Sequence, residues 1–262
     1  MKVSDHDDLG VGVHSGLELL TLPSGQRLRQ DVLERWQCVR LFVSLTLLTS
    51  QTVGERAQLL ALWIETSLNL KVRYGNLFSF TAVTSALTSE PIFRLTDTFS
   101  VLRQRFTSAA YAFDTKLRPA LMSLNNGTSD LPLTDVSLPF VTPICEMMEE
   151  LTPQGGGAIW GEGLDSLTSA DVLLVHLDTA RVIASQTAGY RTFSAEVMSK
   201  NYKQSDVMTS LWQALSPEFH LLLMWGSAGW GVRRGERIHK LEQIYSLLSY
   251  KHQVPGDDGT EV

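Results

Sequence analysis

Residues 74–106 read YGNLFSFTAVTSALTSEPIFRLTDTFSVLRQRF, and this stretch decides the fold. Gly75 ends the run before it. The block NLFSFTAVTSALTS (76–89) carries no charge and is hydrophobic on nearly every side, the composition of a helix at the centre of a protein. Pro91 suits the first turn of a new helix, where its missing N–H goes unused. The apolar pattern then continues through Leu95, Thr98, Phe99 and Leu102, which predicts one helix across IFRLTDTFSVLRQRF.

The same period extends outward in both directions. Upstream, Leu28, Val32, Trp36, Val39 and Val43 share a helical face. Beyond Gly54 a second run places Leu60, Trp63, Ile64 and Leu68 inward and leaves Arg56, Gln58, Glu65 and Asn69 for solvent. Downstream, a helix is expected from Ser108 to Asn125, bent at Pro119. Pro132, Pro139 and Pro143 then mark an extended crossing segment from Asn125 to Glu146 that divides the chain into two lobes. TPQGGGAIWGEG (152–163) reads as a surface loop. A helix capped by Thr168 or Ser169 follows, with no breaker until Gly189. Ser205 and Asp206 cap a short helix to Leu215, and Pro217 opens PEFHLLLMW. The last helix starts after Gly235, places Ile238, Leu241, Tyr245 and Leu248 on one face, and stops before Pro255. No stretch sustains an alternating pattern, so the fold class is all-α.

Composition narrows the function. With 262 residues, 44% hydrophobic and 19% charged, the chain can bury a sizeable core as one large helical domain. A net charge of −6 and a pI near 5.5 argue against nucleic acid and anionic membrane surfaces, which call for cationic excess. Cys38 and Cys145 form neither a CxxC pair nor a metal-ligand cluster, which fits a reducing, cytoplasmic setting. The opening MKVSDHDD lacks the basic and apolar regions of a secretory signal, and no apolar run is long enough to span a bilayer. Asn126-Gly127-Thr128 matches a glycosylation sequon but reads more simply as a turn after a helix.

Catalytic chemistry finds no foothold. Neither a phosphate-binding G-x-x-x-x-G-K-[ST] loop nor a dinucleotide G-x-G-x-x-G is present, and WGSAGWG (225–231) reads as a hinge. His176 lies in an apolar helical run and reads as a packing histidine without an evident partner. The six histidines are scattered, and His6 with Asp7 and Asp8 makes a poor metal site, so no cofactor and no metal are expected. Glu149 and Glu150 are adjacent, about 100° apart on a helix, and read as a solvated face instead of a catalytic pair.

The 74–106 block resembles the signature of Ras guanine-nucleotide exchange factor catalytic domains. An Asn, a hydrophobic helix, a Pro-Ile turn and an Arg-Leu pair occur there in this order, here as Asn76, Leu77 to Leu87, Pro91-Ile92 and Arg94-Leu95. Three later stretches are similar to a narrower group, the novel Src-homology-2-containing (NSP) adaptor proteins: VLLVHLDTARVIA (172–184), SPEFHLLLMWGSAG (216–229) and RIHKLEQIYSLLSYK (237–251). The resemblance implies a multi-helix exchange-factor-like domain over 17–253, a flexible acidic terminus at 1–16 and a disordered tail at 254–262. Family members carry a Src-homology-2 domain ahead of this region, so the chain is expected to be a short isoform, a fragment or a shortened gene product.

An active exchange factor wedges a helical hairpin into the GTPase nucleotide pocket. Active members continue the extended segment into Tyr-Leu-Gly and then Asp-Leu; this chain has LPFVTPICEMMEEL, and its wedge helix begins SLTSADVLL without a basic run. The NSP resemblance therefore implies a closed, non-catalytic variant that docks the C-terminal four-helix focal-adhesion-targeting bundle of Crk-associated-substrate (Cas) scaffolds and is recruited to focal adhesions or the membrane periphery. Leu177 and Arg181 match the family's docking positions, with Leu173 and Leu174 one turn earlier. Taken without the family, Leu173 and Leu177 alone read more readily as core residues, and Arg181 tips the balance outward because a fully buried unpaired arginine is rare. The alternative is a working exchange factor for a Ras or Rap GTPase.

Overall fold

The computed structural model describes residues 19–127, 135–150, 166–201 and 234–253. These fall into two compact units. One comprises the described residues up to Glu34, Tyr74–Phe78 and those from Met122 to Asn201; the other comprises Arg35–Arg73, Ser79–Leu121 and the described residues beyond 233. The division therefore does not fall at the proline-rich segment, because each unit draws on separated stretches of chain. Among the described residues every regular element is helical, and the sole pairing of extended backbone is a parallel bridge between Asn76 and Leu138. The all-α class is as expected. The expectations for 1–16, 152–163, the helix to Leu215, PEFHLLLMW, WGSAGWG and 254–262 lie outside the described residues.

Helix α1 (Gln26–Leu48) follows a 3-10 turn at Pro23–Gly25 and passes from the first unit into the second. Helix α2 (Val53–Val72) begins at a capping box in which Thr52 Oγ1 accepts from Glu55 N and the Glu55 carboxylate accepts from Thr52 N, both at 3.2 Å. Its inward face buries Leu60 and Ile64, as the spacing predicted. Arg56 departs from the expectation. It is buried, with N–H groups on the Ser50 carbonyl (3.1 Å), Thr98 Oγ1 (3.4 Å) and His252 Nδ1 (2.7 Å). The histidine's other nitrogen donates to the Leu48 carbonyl at 2.7 Å.

Helix α3 (Leu77–Thr88) is central to the second unit from Ser79 onward: Phe80, Ala82, Ala86 and Leu87 are fully buried. Its two buried hydroxyls are both paired, Thr84 with Ser67 at 2.7 Å and Thr81 accepting from Trp36 Nε1 at 3.1 Å. The single helix expected after Pro91 is two, α4 (Glu90–Phe93) and α5 (Thr96–Arg105). Leu95 leaves helical backbone (φ −75°, ψ 65°) and buries its side chain, so a core position ends the helix where local propensity would have continued it. Helices α6 (Thr107–Ala112) and α7 (Arg118–Asn125) are joined by a π-type segment at Phe113–Leu117. That wider turn lies just before Pro119, whose ring would collide with the carbonyl four residues back in a regular helix.

In the first unit, Gly75 (φ 58°) and Gly127 (φ 67°) make left-handed turns. The expected turn at Asn126–Gly127 is present. Of the crossing segment expected from Asn125 to Glu146, the described residues 136–141 are without helix, but helix α8 (Thr142–Glu150) already includes 142–146, with Pro143 in its first turn. Glu149 is not a solvated group: its carboxylate accepts from Arg29 Nε at 2.7 Å and Gln30 Nε2 at 3.0 Å. Arg29 itself is buried and also donates to the Leu20 (2.9 Å) and Leu22 (2.7 Å) carbonyls. Helix α9 (Ser166–Ser185) is helical from Ser166, so Thr168 and Ser169 sit inside its first turn instead of capping it. It ends at Gln186, and α10 (Thr187–Asn201) contains Gly189, which was expected to be the breaker. Gly189 is exposed, with open space where a side chain would be, so nothing forces a break there. In the second unit, helix α11 (Arg234–His252) buries Leu241 and Tyr245, in line with the expected face.

A candidate docking helix

Helix α9 has one side turned into its unit and one turned out. Inward, His176 and Ile183 are buried. The His176 Nε2–H donates to the Asn125 carbonyl at 2.9 Å, which supplies the partner that the sequence did not reveal. Burial lowers the His176 pKa below its ordinary value, and the hydrogen bond to Asn125 opposes this more weakly. Gly127 explains the close packing: a side chain there would run into Val175 and approach the His176 ring. The α7 terminus therefore registers α9.

Outward, the candidate docking residues separate. Arg181 is 78% exposed, and its guanidinium donates to Asp178 Oδ1 at 2.7 Å. Leu177 is half-buried, one turn before it. Leu173 belongs to the same helix, but its side chain lies outside the described residues. Sequence reasoning did not single out Asp178, Val175 or Val182. The last two are exposed together with Leu174, which is 57% exposed. The Asp178–Arg181 spacing of three was a usable signal. The exposure of the three aliphatics was not, since VLLVHLDTARVIA is apolar around more than one side of the helix.

The described residues contain no group of three or more His, Cys, Asp or Glu able to hold a metal, and none of their helices is long and apolar enough to cross a membrane. Cys38 and Cys145 are buried thiols, one in each unit. Tyr190, at the start of α10, is buried with its hydroxyl unpaired, and burial raises its pKa. These groups offer no acid–base pair. What α9 can do chemically is present apolar and charged side chains to another surface.

Residues 17–144 match the RasGEF domain, so the helical scaffold is of the exchange-factor type. Over 243 residues the chain is 36% identical to SH2 domain-containing protein 3C of Homo sapiens, covering 92% of this chain and 27% of that protein. It is 33% identical over 265 residues to the breast cancer anti-estrogen resistance protein 3 homolog of Mus musculus, covering 100% of this chain and 32% of that one. The Xenopus laevis homolog is 31% identical over 246 residues. The chain belongs to the NSP family of RasGEF-domain adaptor proteins. It spans about a third or less of the length of these relatives.

Proposed function

We propose that this domain is a docking module in which α9 binds the C-terminal four-helix bundle of a Cas-family scaffold, and that it has little or no exchange activity. The observation that carries the reading is the outward side of α9. Leu177 and Arg181 lie four residues apart there, with three exposed aliphatic neighbours on the same helix. An aliphatic anchor beside an arginine is a frequent hot-spot composition, whereas exposed apolar surface gathered on one helix costs solubility unless something covers it. The family resemblance supplies the partner. Such a module works in the cytoplasm and follows its scaffold to adhesions.

Calorimetry with a Cas C-terminal bundle tests the reading directly. Leu177→Glu or Arg181→Glu is expected to cost about 2 kcal/mol or more, roughly 30-fold in affinity, with the thermal transition retained. Unchanged affinity in both variants rejects the site. Release of fluorescent nucleotide from a panel of Ras and Rap GTPases tests the second half: the expected rate matches the GTPase alone, and acceleration by orders of magnitude overturns the non-catalytic reading.

A further inference from the structure

We infer that the cleft between α1, the start of α4 and α11 in the second unit is a binding site for an organic cation, a guanidinium or ammonium head on a short aliphatic stem. The cleft measures about 710 Å3, within the roughly 300–1,000 Å3 of small-ligand sites. It stands apart from the docking role of α9, which belongs to the first unit. Tyr245, on α11, is the wall residue that lacks a partner. It is 5% exposed, yet no group among the described residues hydrogen-bonds its hydroxyl. That hydroxyl is not one of the unpaired atoms sealed from solvent, as the Tyr190 hydroxyl is, so it is the part of Tyr245 that meets the cleft. A buried polar side chain ordinarily finds its partner within the protein, and here the open position faces the space where a ligand fits. Burial raises the Tyr245 pKa; the nearby Arg40 charge opposes this and Cys38 adds to it. The phenol therefore stays neutral, with its oxygen able to accept an N–H.

Charge decides the sign of the ligand. Two carboxylates, Glu90 and Glu242, share the cleft wall with one guanidinium, that of Arg40, which leaves one negative charge in excess with His239 neutral. The whole chain carries −6. Glu242 accepts from Arg40 Nη2 and Glu90 from Arg94 Nη2, each through Oε1. In both, Oε2 is without a partner among the described residues, and the two side chains are 80% (Glu90) and 48% (Glu242) exposed, so each has an oxygen to offer an incoming cation. An anion would meet like charge at both positions, while Arg40 is already held by Glu242 and by Gln37 Oε1, to which its Nε donates at 2.8 Å. A guanidinium or ammonium instead forms charge-assisted hydrogen bonds to these oxygens, the stronger kind. Its stem has apolar surface to lie on at buried Leu41 and exposed Leu247.

The test titrates agmatine and N-acetyl-arginine amide into the whole chain by calorimetry, with circular dichroism on every variant. The first probe is a free amine, and the second is an arginine as a partner polypeptide would present it. Both are expected to bind, and the tighter of the two assigns the source of the cation. Glu242→Gln keeps the size of an exposed side chain and is expected to weaken both about 10-fold, as for loss of a hydrogen bond to a charged group. Tyr245→Phe keeps the buried ring and is expected to weaken them about 5-fold, as for loss of one neutral hydrogen bond. Glu236→Gln, on α11 but outside the cleft wall, is expected to change nothing. Acetate, the anionic probe, is expected not to bind. The site is overturned if neither cation binds, if acetate binds in their place, or if Glu236→Gln weakens binding as much as Glu242→Gln. Unchanged affinity in a folded Tyr245→Phe overturns it as well, and if that variant fails to fold, Glu242→Gln against Glu236→Gln decides.

Discussion

His176 is 6% exposed, and its buried imidazole favours the neutral form. Because its folded pKa lies below the ordinary value of 6.5, the unfolded chain binds the proton more readily. The stability that neutral His176 contributes is therefore fully present above about pH 6.5 and is lost as pH falls from there through the folded value. His176→Gln retains a donor for the Asn125 carbonyl and should flatten the fall in unfolding temperature between about pH 7 and pH 5; an unchanged slope would assign that fall to other groups. Arg29 offers a second test. Arg29→Ala removes the side-chain donor from the Leu20 and Leu22 carbonyls, of which Leu22 keeps the Gly25 N–H, and takes the cation from a part-buried carboxylate. A loss of about 3 kcal/mol in denaturant unfolding is expected, and a loss below about 1 kcal/mol would indicate that water replaces it. Neither Glu149, bonded to a residue 120 positions away, nor Arg56, whose histidine is 196 positions away, could be read from local pattern. Helical period places a polar residue outward by default, and only a distant partner reverses that.

At the scale of elements, the helices themselves were legible and several of their ends were not. The run at 76–89, the Pro91 turn and the Leu241/Tyr245 face follow from apolar spacing, which tertiary packing then uses. The breaks at Leu95 and Gln186 carry no glycine or proline, and the burial of Leu95 shows a packing demand overriding propensity. Where a local signal does set an end, its removal should be measurable. Thr52→Ala deletes the acceptor of the α2 capping box and should cost about 1 kcal/mol in thermal or denaturant unfolding. Gly75→Ala should cost more, about 2 kcal/mol, because it combines a positive φ with a collision against the Asp135 carbonyl and the Phe193 ring. A neutral result at Gly75 would mean that the 135–141 segment shifts freely. The outward face of α9 was legible as charge spacing at 178 and 181. Which aliphatics join it was not, because the turn at Asn125–Gly127 fixes the rotation of the helix from outside its own sequence.

For the whole molecule, charge and composition set the solution behaviour. With a net charge of −6, the chain should not sediment with phosphatidylserine vesicles at physiological salt, and retention there would require a basic patch that overrides the net charge. The helical class was open to reading because period and proline placement are local properties repeated along the chain. The assembly of two units from separated stretches was not, since it depends on contacts between distant residues. Arg29 gives this assembly a mechanical property. Its guanidinium holds two carbonyls of the leading segment, Leu20 and Leu22, and is itself bonded to α8 through Glu149. Because Arg29 belongs to α1 and Glu149 to α8, a pull applied at Leu20 is shared at once between two helices far apart in sequence, and the leading segment resists it as part of the first unit instead of peeling away alone.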